Sequence, residues 1–134
     1  MTVPDLDNPE EQIRLMSYRY PAYHPETDKP PKGILFYVHG FTDYAGRFAH
    51  LGKHFSEEGY DFFAMDSRGH GKSEGHPGYV ESVDRAAREQ LLFQKMVLEK
   101  YYPGEKPPIH VFAHSFGCMQ TMYWLTNVDL EVPQ

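Results

Sequence analysis

The chain has 134 residues, 40% hydrophobic and 15% aromatic, enough for one globular domain with a core and too short for a convincing second one. Its 13 Lys and Arg against 19 Asp and Glu leave a net charge of -6 with no basic cluster, which argues against a nucleic acid or other polyanion as partner. The start, MTVPDLDNPEEQ, lacks a basic segment followed by an apolar one, no run is long enough to cross a bilayer, and the single Cys118 excludes an internal disulfide or a thiolate metal site of its own.

We therefore read a cytoplasmic protein, with Cys118 expected to be a small buried packing residue. Alternation over Ile13, Leu15, Ser17 and Arg19 suggests an outer antiparallel strand or hairpin. The Pro/Lys-rich stretch from Pro25 to Lys32 is a loop. Gly33 to Gly40, GILFYVHG, is apolar at nearly every position, as in a buried strand covered on both faces. Ala45 to Glu58 spaces Phe48, Leu51 and Phe55 as a helix does, and Gly59 stands where a left-handed C-terminal cap belongs. Tyr60 to Asp66 is a second buried strand, and Ser67 to Ser82 a loop rich in Gly, His and Pro. The helix from about Val83 puts Ala86, Phe93, Met96 and Val97 on one face, with Arg85, Arg88, Glu89 and Lys95 mostly elsewhere, and ends at Tyr101 to Gly104. Ile109 to Ala113 is expected to be a third buried strand, and Phe116 to about Thr126 a third helix.

This alternation is the order of an open, mostly parallel α/β sheet, in which ligands sit at the carboxyl ends of the strands. The three strands end in polar clusters at His39-Gly40, at Asp66 to Gly71 and at His114-Ser115, all on one edge. The last cluster, in AHSFG, has a serine flanked two positions away by Ala113 and Gly117. A serine attacks a carbonyl only when its proton is accepted and the resulting oxyanion is held. A sharp strand-to-helix turn serves both needs, because small neighbours let the hydroxyl stand clear while the first free amides of the helix face the new charge. A purely capping role for Ser115 would explain neither the small neighbours nor the His39-Gly40 cluster.

HGFTDYAGRF (His39 to Phe48), MDSRGHGKSEG (Met65 to Gly75) and AHSFG, in this order and spacing, resemble the α/β-hydrolase fold. More narrowly, they resemble its monoacylglycerol lipase, lysophospholipase and serine aminopeptidase-like group, over about Ile13 to Leu125. The middle motif is the most specific of the three, and Ala113 departs from the family's usual first Gly. The resemblance implies Ser115 as nucleophile and the backbone amides of Phe41 and Phe116 as oxyanion donors. It places His39, Gly40 and His114 at the binding site and needs no cofactor or metal. It also implies that Asp66 and the loop Arg68 to Ser73 shape the mouth without making bonds, with His70 in a structural hydrogen-bonding role.

Other readings compete and fall short. Gly71-Lys72-Ser73 ends like a phosphate-binding loop, but Asp66 stands where its first Gly is required. His50 and His54 share a helix face without the Glu of a zinc motif, and His110 and His114 on a strand are ~13 Å apart, too far to share a metal. The aromatics fall mostly in buried strands rather than on a stacking surface.

The fold's chain order is Ser, then acid, then His. After Ser115 the sequence has only Asp129 and Glu131 as acids and no histidine. We therefore expect an N-terminal part of a truncated α/β-hydrolase fold, in one partial domain over residues 1–134. Its parts are an N-terminal strand and loop (1–32), a βαβαβα core (33–126) and a tail (127–134), without the family's lid. The resemblance implies the strand order 60–66, 33–39, 109–113, which leaves the strand at 109–113 as an uncovered apolar edge. Two functions stay open. One is a serine hydrolase of carboxylic lipid esters, nearly inactive as this chain alone. The other is a non-catalytic chain that binds a lipid or a partner. Peripheral membrane contact and association along the open edge are compatible with both.

Overall fold

A computed structural model describes residues 2–4, 10, 12–24, 29–105 and 107–127; the tail expected over 127–134 therefore lies outside it except for Asn127, as do Asp129, Glu131 and residues 25–28 of the loop. A ribbon of β1 (Thr2–Pro4) and β2 (Gln12–Arg14) pairs antiparallel, with Val3 opposite Ile13. The main sheet comprises β3 (Ser17–Tyr20), β4 (Ile34–Val38), β5 (Asp61–Met65) and β6 (Ile109–Ala113). Its order among the described residues is β3-β5-β4-β6, antiparallel only between β3 and β5.

A 3-10 turn, Ala45–Phe48, runs into α1 (Ala49–Glu57), so the expected single helix begins more tightly wound than an α-helix. Gly59 follows it at φ +87°, in the left-handed conformation that ends helices. The second helix, α2 (Val83–Tyr101), starts where Ser82 accepts a bond from the Arg85 amide. The third, α3 (Phe116–Thr126), follows β6 after a two-residue turn.

Strand periodicity explains why β4 and β5 are apolar at nearly every position. Ile34, Phe36, Phe63 and Met65 face Phe93 and Val97 of α2, while Leu35, Tyr37, Phe62 and Ala64 face Phe48, Leu51 and Phe55 on the side of α1. A fully buried Phe contributes about 2–3 kcal/mol by leaving water, so these two layers dominate the fold's stability. A third cluster, of Val38, Ala87, Leu91 and Trp124, joins α2 to α3.

Three expectations need correction. Ile109–Ala113 is a strand but not a buried one: its middle three residues are exposed, in line with the uncovered edge also expected for it, since among the described residues β6 pairs with β4 alone. On α2 the fully buried alanine is Ala87 rather than Ala86, and Glu89 is buried too, since the loop before α2 brings Arg68 against its carboxylate. Cys118 is exposed, on a stretch of α3 whose Met119, Met122 and Leu125 are also open to solvent.

Candidate active site

The β4–β6 pairing extends to the turn itself, where the His114 amide donates to the Val38 carbonyl at 3.1 Å. Next comes Ser115 at φ 53°, ψ −119°, exposed and with no capping bond from its hydroxyl. That conformation is strained for any residue with a side chain, by roughly 1–3 kcal/mol. The turn closes with Gly117 N–H to His114 O and Cys118 N–H to Ser115 O, each 2.9 Å.

Packing accounts for the small neighbours. A side chain at Gly117 would collide with the Val38 carbonyl oxygen and lie 2.9 Å from that of His39, both of them backbone atoms that cannot yield. Gly40 is similarly close, since a Cβ there would fall 3.2 Å from the Ser115 Cβ. Ala113 is only partly buried and rests against the cluster of Val38, Ala87, Leu91 and Trp124, so its extra methyl has a place.

Phe41, in the loop after β4, and Phe116, at the start of α3, come together with ring centroids 6.2 Å apart in an edge-to-face arrangement. Among the described residues neither amide donates to a backbone acceptor. Among the described residues Thr42, next to Phe41, joins Ser115 as a non-glycine residue with positive φ, at 57°, so strained backbone adjoins both amides.

His39 is buried and uses both ring nitrogens internally. Nε2 accepts from the Ser67 amide at 2.9 Å, so Nδ1 carries the proton and donates to the Gly40 carbonyl at 2.8 Å. Burial holds its pKa below the usual value, and the ring is neutral near pH 7. The Gly40 carbonyl and the Phe41 N–H belong to one planar peptide unit, so this bond fixes the direction of the Phe41 amide. His114, by contrast, is exposed on the turn.

The loop after β5 closes around Asp66, which is fully buried. One carboxylate oxygen accepts from the Ala45 amide at 2.7 Å, and the other from Tyr18 Oη and the Lys72 amide, both at 3.0 Å. Gly71, at φ 54°, is required there because a Cβ would strike that carboxylate. The segment that ends like a phosphate-binding loop thus wraps a side-chain carboxylate. His70 Nδ1 bonds the Arg68 carbonyl at 2.9 Å, and its ring lies 5.5 Å from that of His39 and 5.8 Å from that of Phe41.

Sequence reasoning missed the ion pair of the partly buried Arg68 with the buried Glu89, at 2.7 Å, and the supporting bond from Gln90 Nε2 to Ser67 Oγ at 3.4 Å. Helical spacing from Arg85 made Glu89 look like part of a solvated face; only the fold brings Arg68 to it. His110 packs edge-on against Tyr60, and among the described residues no three His, Cys, Asp or Glu groups converge on a metal-sized site. No described helix is long and apolar enough to cross a membrane.

A family described as serine aminopeptidase, S33, matches residues 29–132. A monoacylglycerol lipase of Mycolicibacterium smegmatis is 39% identical over 73% of this chain and 33% of its own length. The human monoglyceride lipase is 30% identical over 86% of this chain and 35% of that protein. The chain thus spans about a third of these curated relatives. Among solved structures, a monoacylglycerol lipase of Paleococcus ferrophilus superposes at TM-score 0.62 with 28% identity, over 82% of this chain and 37% of that one. A carboxyl esterase of Bacillus coagulans superposes at TM-score 0.75, over 98% and 41%; at 23% identity this is a likeness of fold. With a matching family model, lipase relatives and this sheet all in agreement, the chain belongs to the serine aminopeptidase S33 family of α/β-hydrolases.

Proposed function

We propose that Ser115 is the nucleophile of a carboxylic-ester hydrolase and that the amides of Phe41 and Phe116 hold the oxyanion. The observation that carries this reading is the strained backbone at Ser115, which leaves an uncapped, exposed hydroxyl next to Phe116, while among the described residues the Phe41 and Phe116 amides have no backbone acceptor. The serine oxygen bonds to the ester carbonyl carbon and its proton passes to a base. The carbonyl oxygen becomes an anion facing the two N–H groups, and collapse expels the alcohol, which takes up the proton. His39 acts by positioning, since its Nδ1–H holds the Gly40–Phe41 peptide plane, while Gly40 and His114 border the substrate.

In this fold's chain order the orienting acid and the base follow the serine, and this sequence has no histidine after Ser115. Residues 33–126 form one βαβαβα unit that carries the nucleophile, and the chain alone turns over little or no substrate. The substrates are monoacylglycerols or lysophospholipids in the cytoplasm, a reading supported by the monoacylglycerol lipase names of its relatives.

A second reading, a non-catalytic chain that binds a lipid, membrane surface or protein through its open edge, is favoured by one observation. Val111, Phe112, Met119, Met122 and Leu125 are all exposed on β6 and α3. A fluorophosphonate probe separates the two. Labelling of Ser115 in a polypeptide that continues past Gln134, and not in the 134-residue chain, is the expected result; no labelling in either would remove the hydrolase reading. Labelling of the short chain would instead overturn its predicted inactivity.

A further inference from the structure

A cleft of about 400 Å³, within the range of small-molecule sites, lies between β3 and the C-terminal half of α2 and shares no lining residue with the Ser115 turn. Side chains alternate along a strand, so Ser17 and Arg19 share one face of β3, and Arg19 stands in register with Phe63 of β5. The walls are apolar. Phe63, Phe93 and Val97 are buried, and Met96 and Tyr101 are partly so. Thr2 and Ser17, both small, line it as well.

Two cations meet at one ring of this wall. The guanidinium carbon of Arg19 lies 4.2 Å from the centroid of Tyr101, and the Lys100 ammonium lies 5.2 Å from the same point. Both charges are therefore within reach of one small molecule. Arg19 is held from a second side by Phe63, 5.6 Å from that centroid.

The balance of charge narrows the ligand. The chain carries a net charge of -6, yet no Asp or Glu is among the described residues that line the cleft. Of the five N–H donors of Arg19, one on Nη2 goes to Asp61 Oδ2 at 3.3 Å, and the buried Asp61 also accepts from the Ala22 amide and from Tyr102 Oη. Among the described residues no carboxylate pairs with Lys100. Two cations against one carboxylate leave a single positive charge beside an apolar wall. An ammonium is repelled there, a neutral alcohol leaves the charge unmatched, and a phosphate monoester, with about two negative charges, exceeds it. An aliphatic carboxylate matches both the charge and the wall.

We propose that this cleft binds a free aliphatic carboxylate, its head on Lys100 and the remaining donors of Arg19, its chain along Phe63, Phe93 and Met96. The site does not depend on the role of Ser115.

The test is a titration of the nitrogen-15-labelled 134-residue chain with octanoate, followed by calorimetry and amide shifts, beside octylammonium, 1-octanol, acetate and octyl phosphate. Octanoate should saturate, with shifts on β3, Phe63 and residues 93–101, and should weaken in added salt. Acetate and octylammonium should not saturate, and 1-octanol should bind about tenfold more weakly than octanoate. Lys100 is exposed, so its replacement leaves the packing intact. Lys100→Met should weaken octanoate about tenfold, the worth of one charge-assisted hydrogen bond, and leave 1-octanol unchanged, whereas Lys100→Arg should retain octanoate. Ser17→Leu, which fills the cleft, should weaken octanoate and 1-octanol alike. Octanoate that never saturates, octylammonium binding as tightly, octyl phosphate binding more tightly, unchanged affinity in Lys100→Met, or shifts centred instead on Met119, Met122 and Leu125 would each overturn the proposal.

Discussion

Strands β4 and β6 carry the same kind of sequence, ILFYV and IHVFA, yet every residue of the first is buried and the middle three of the second are exposed. The difference lies in the neighbours. β4 runs between β5 and β6, with residues of α1 and α2 packed on its two faces. β6 has β4 on one side, and Ala113, at its end, is the residue that reaches the α2–α3 cluster. Apolar composition therefore records what a strand could bury, while the flanking elements decide what it does bury.

The largest expected effect tests the centre. Phe36→Ala, which empties a site bounded by Phe63 and Phe93, should destabilise the chain by about 3–5 kcal/mol in urea titrations. A much smaller loss would mean that the centre is no better packed than the edge.

Two pH limbs sharpen the same contrast, since both act through the buried side. Burial, together with Asp66 in the case of Tyr18, pushes the hydroxyls of Tyr18 and Tyr37 up to about 12 from 10.0. Folded values above the unfolded one mean that their contribution is complete below pH 10 and is lost as pH rises towards 12. The last phenolate absorbance should therefore appear together with unfolding. His39 has the opposite sign: burial depresses its folded value below 6.5, so its contribution is present above pH 6.5 and disappears as pH falls through the folded value. His39→Phe should flatten that acid limb.

Ser115→Gly follows in size. Glycine accepts φ 53° without strain, so we expect a gain of about 1 kcal/mol after its larger unfolded-state entropy, whereas Ser115→Ala should gain little. Equal gains would mean that the backbone there is unstrained. The smallest effect belongs to the edge. Met122→Gln, at a position 60% exposed, should change stability by no more than about 0.5 kcal/mol while reducing light scattering from self-association.

Much of this was legible in the chain. The periods of β4, β5 and α2, the glycine that ends α1, and the small residues around Ser115 are local demands of backbone geometry, and local demands are written residue by residue. Gly117 is the clearest case, because the approach of the Val38 carbonyl leaves room for nothing larger. The ion pair of Arg68 with Glu89, the tautomer of His39 and the unpaired oxygen of Gln120 were not legible. Each depends on a partner, present or missing, that sequence spacing does not name.

The sequence by itself determined the α/β alternation and the small residues that a tight turn at Ser115 needs, since periodicity and sterics act over a few residues. Only the tertiary structure decided which histidine is locked, which carboxylate of α2 is buried and which polar atoms lie buried without a partner. Those outcomes follow from contacts between segments far apart in the chain, where burial, hydrogen bonding and charge are settled together.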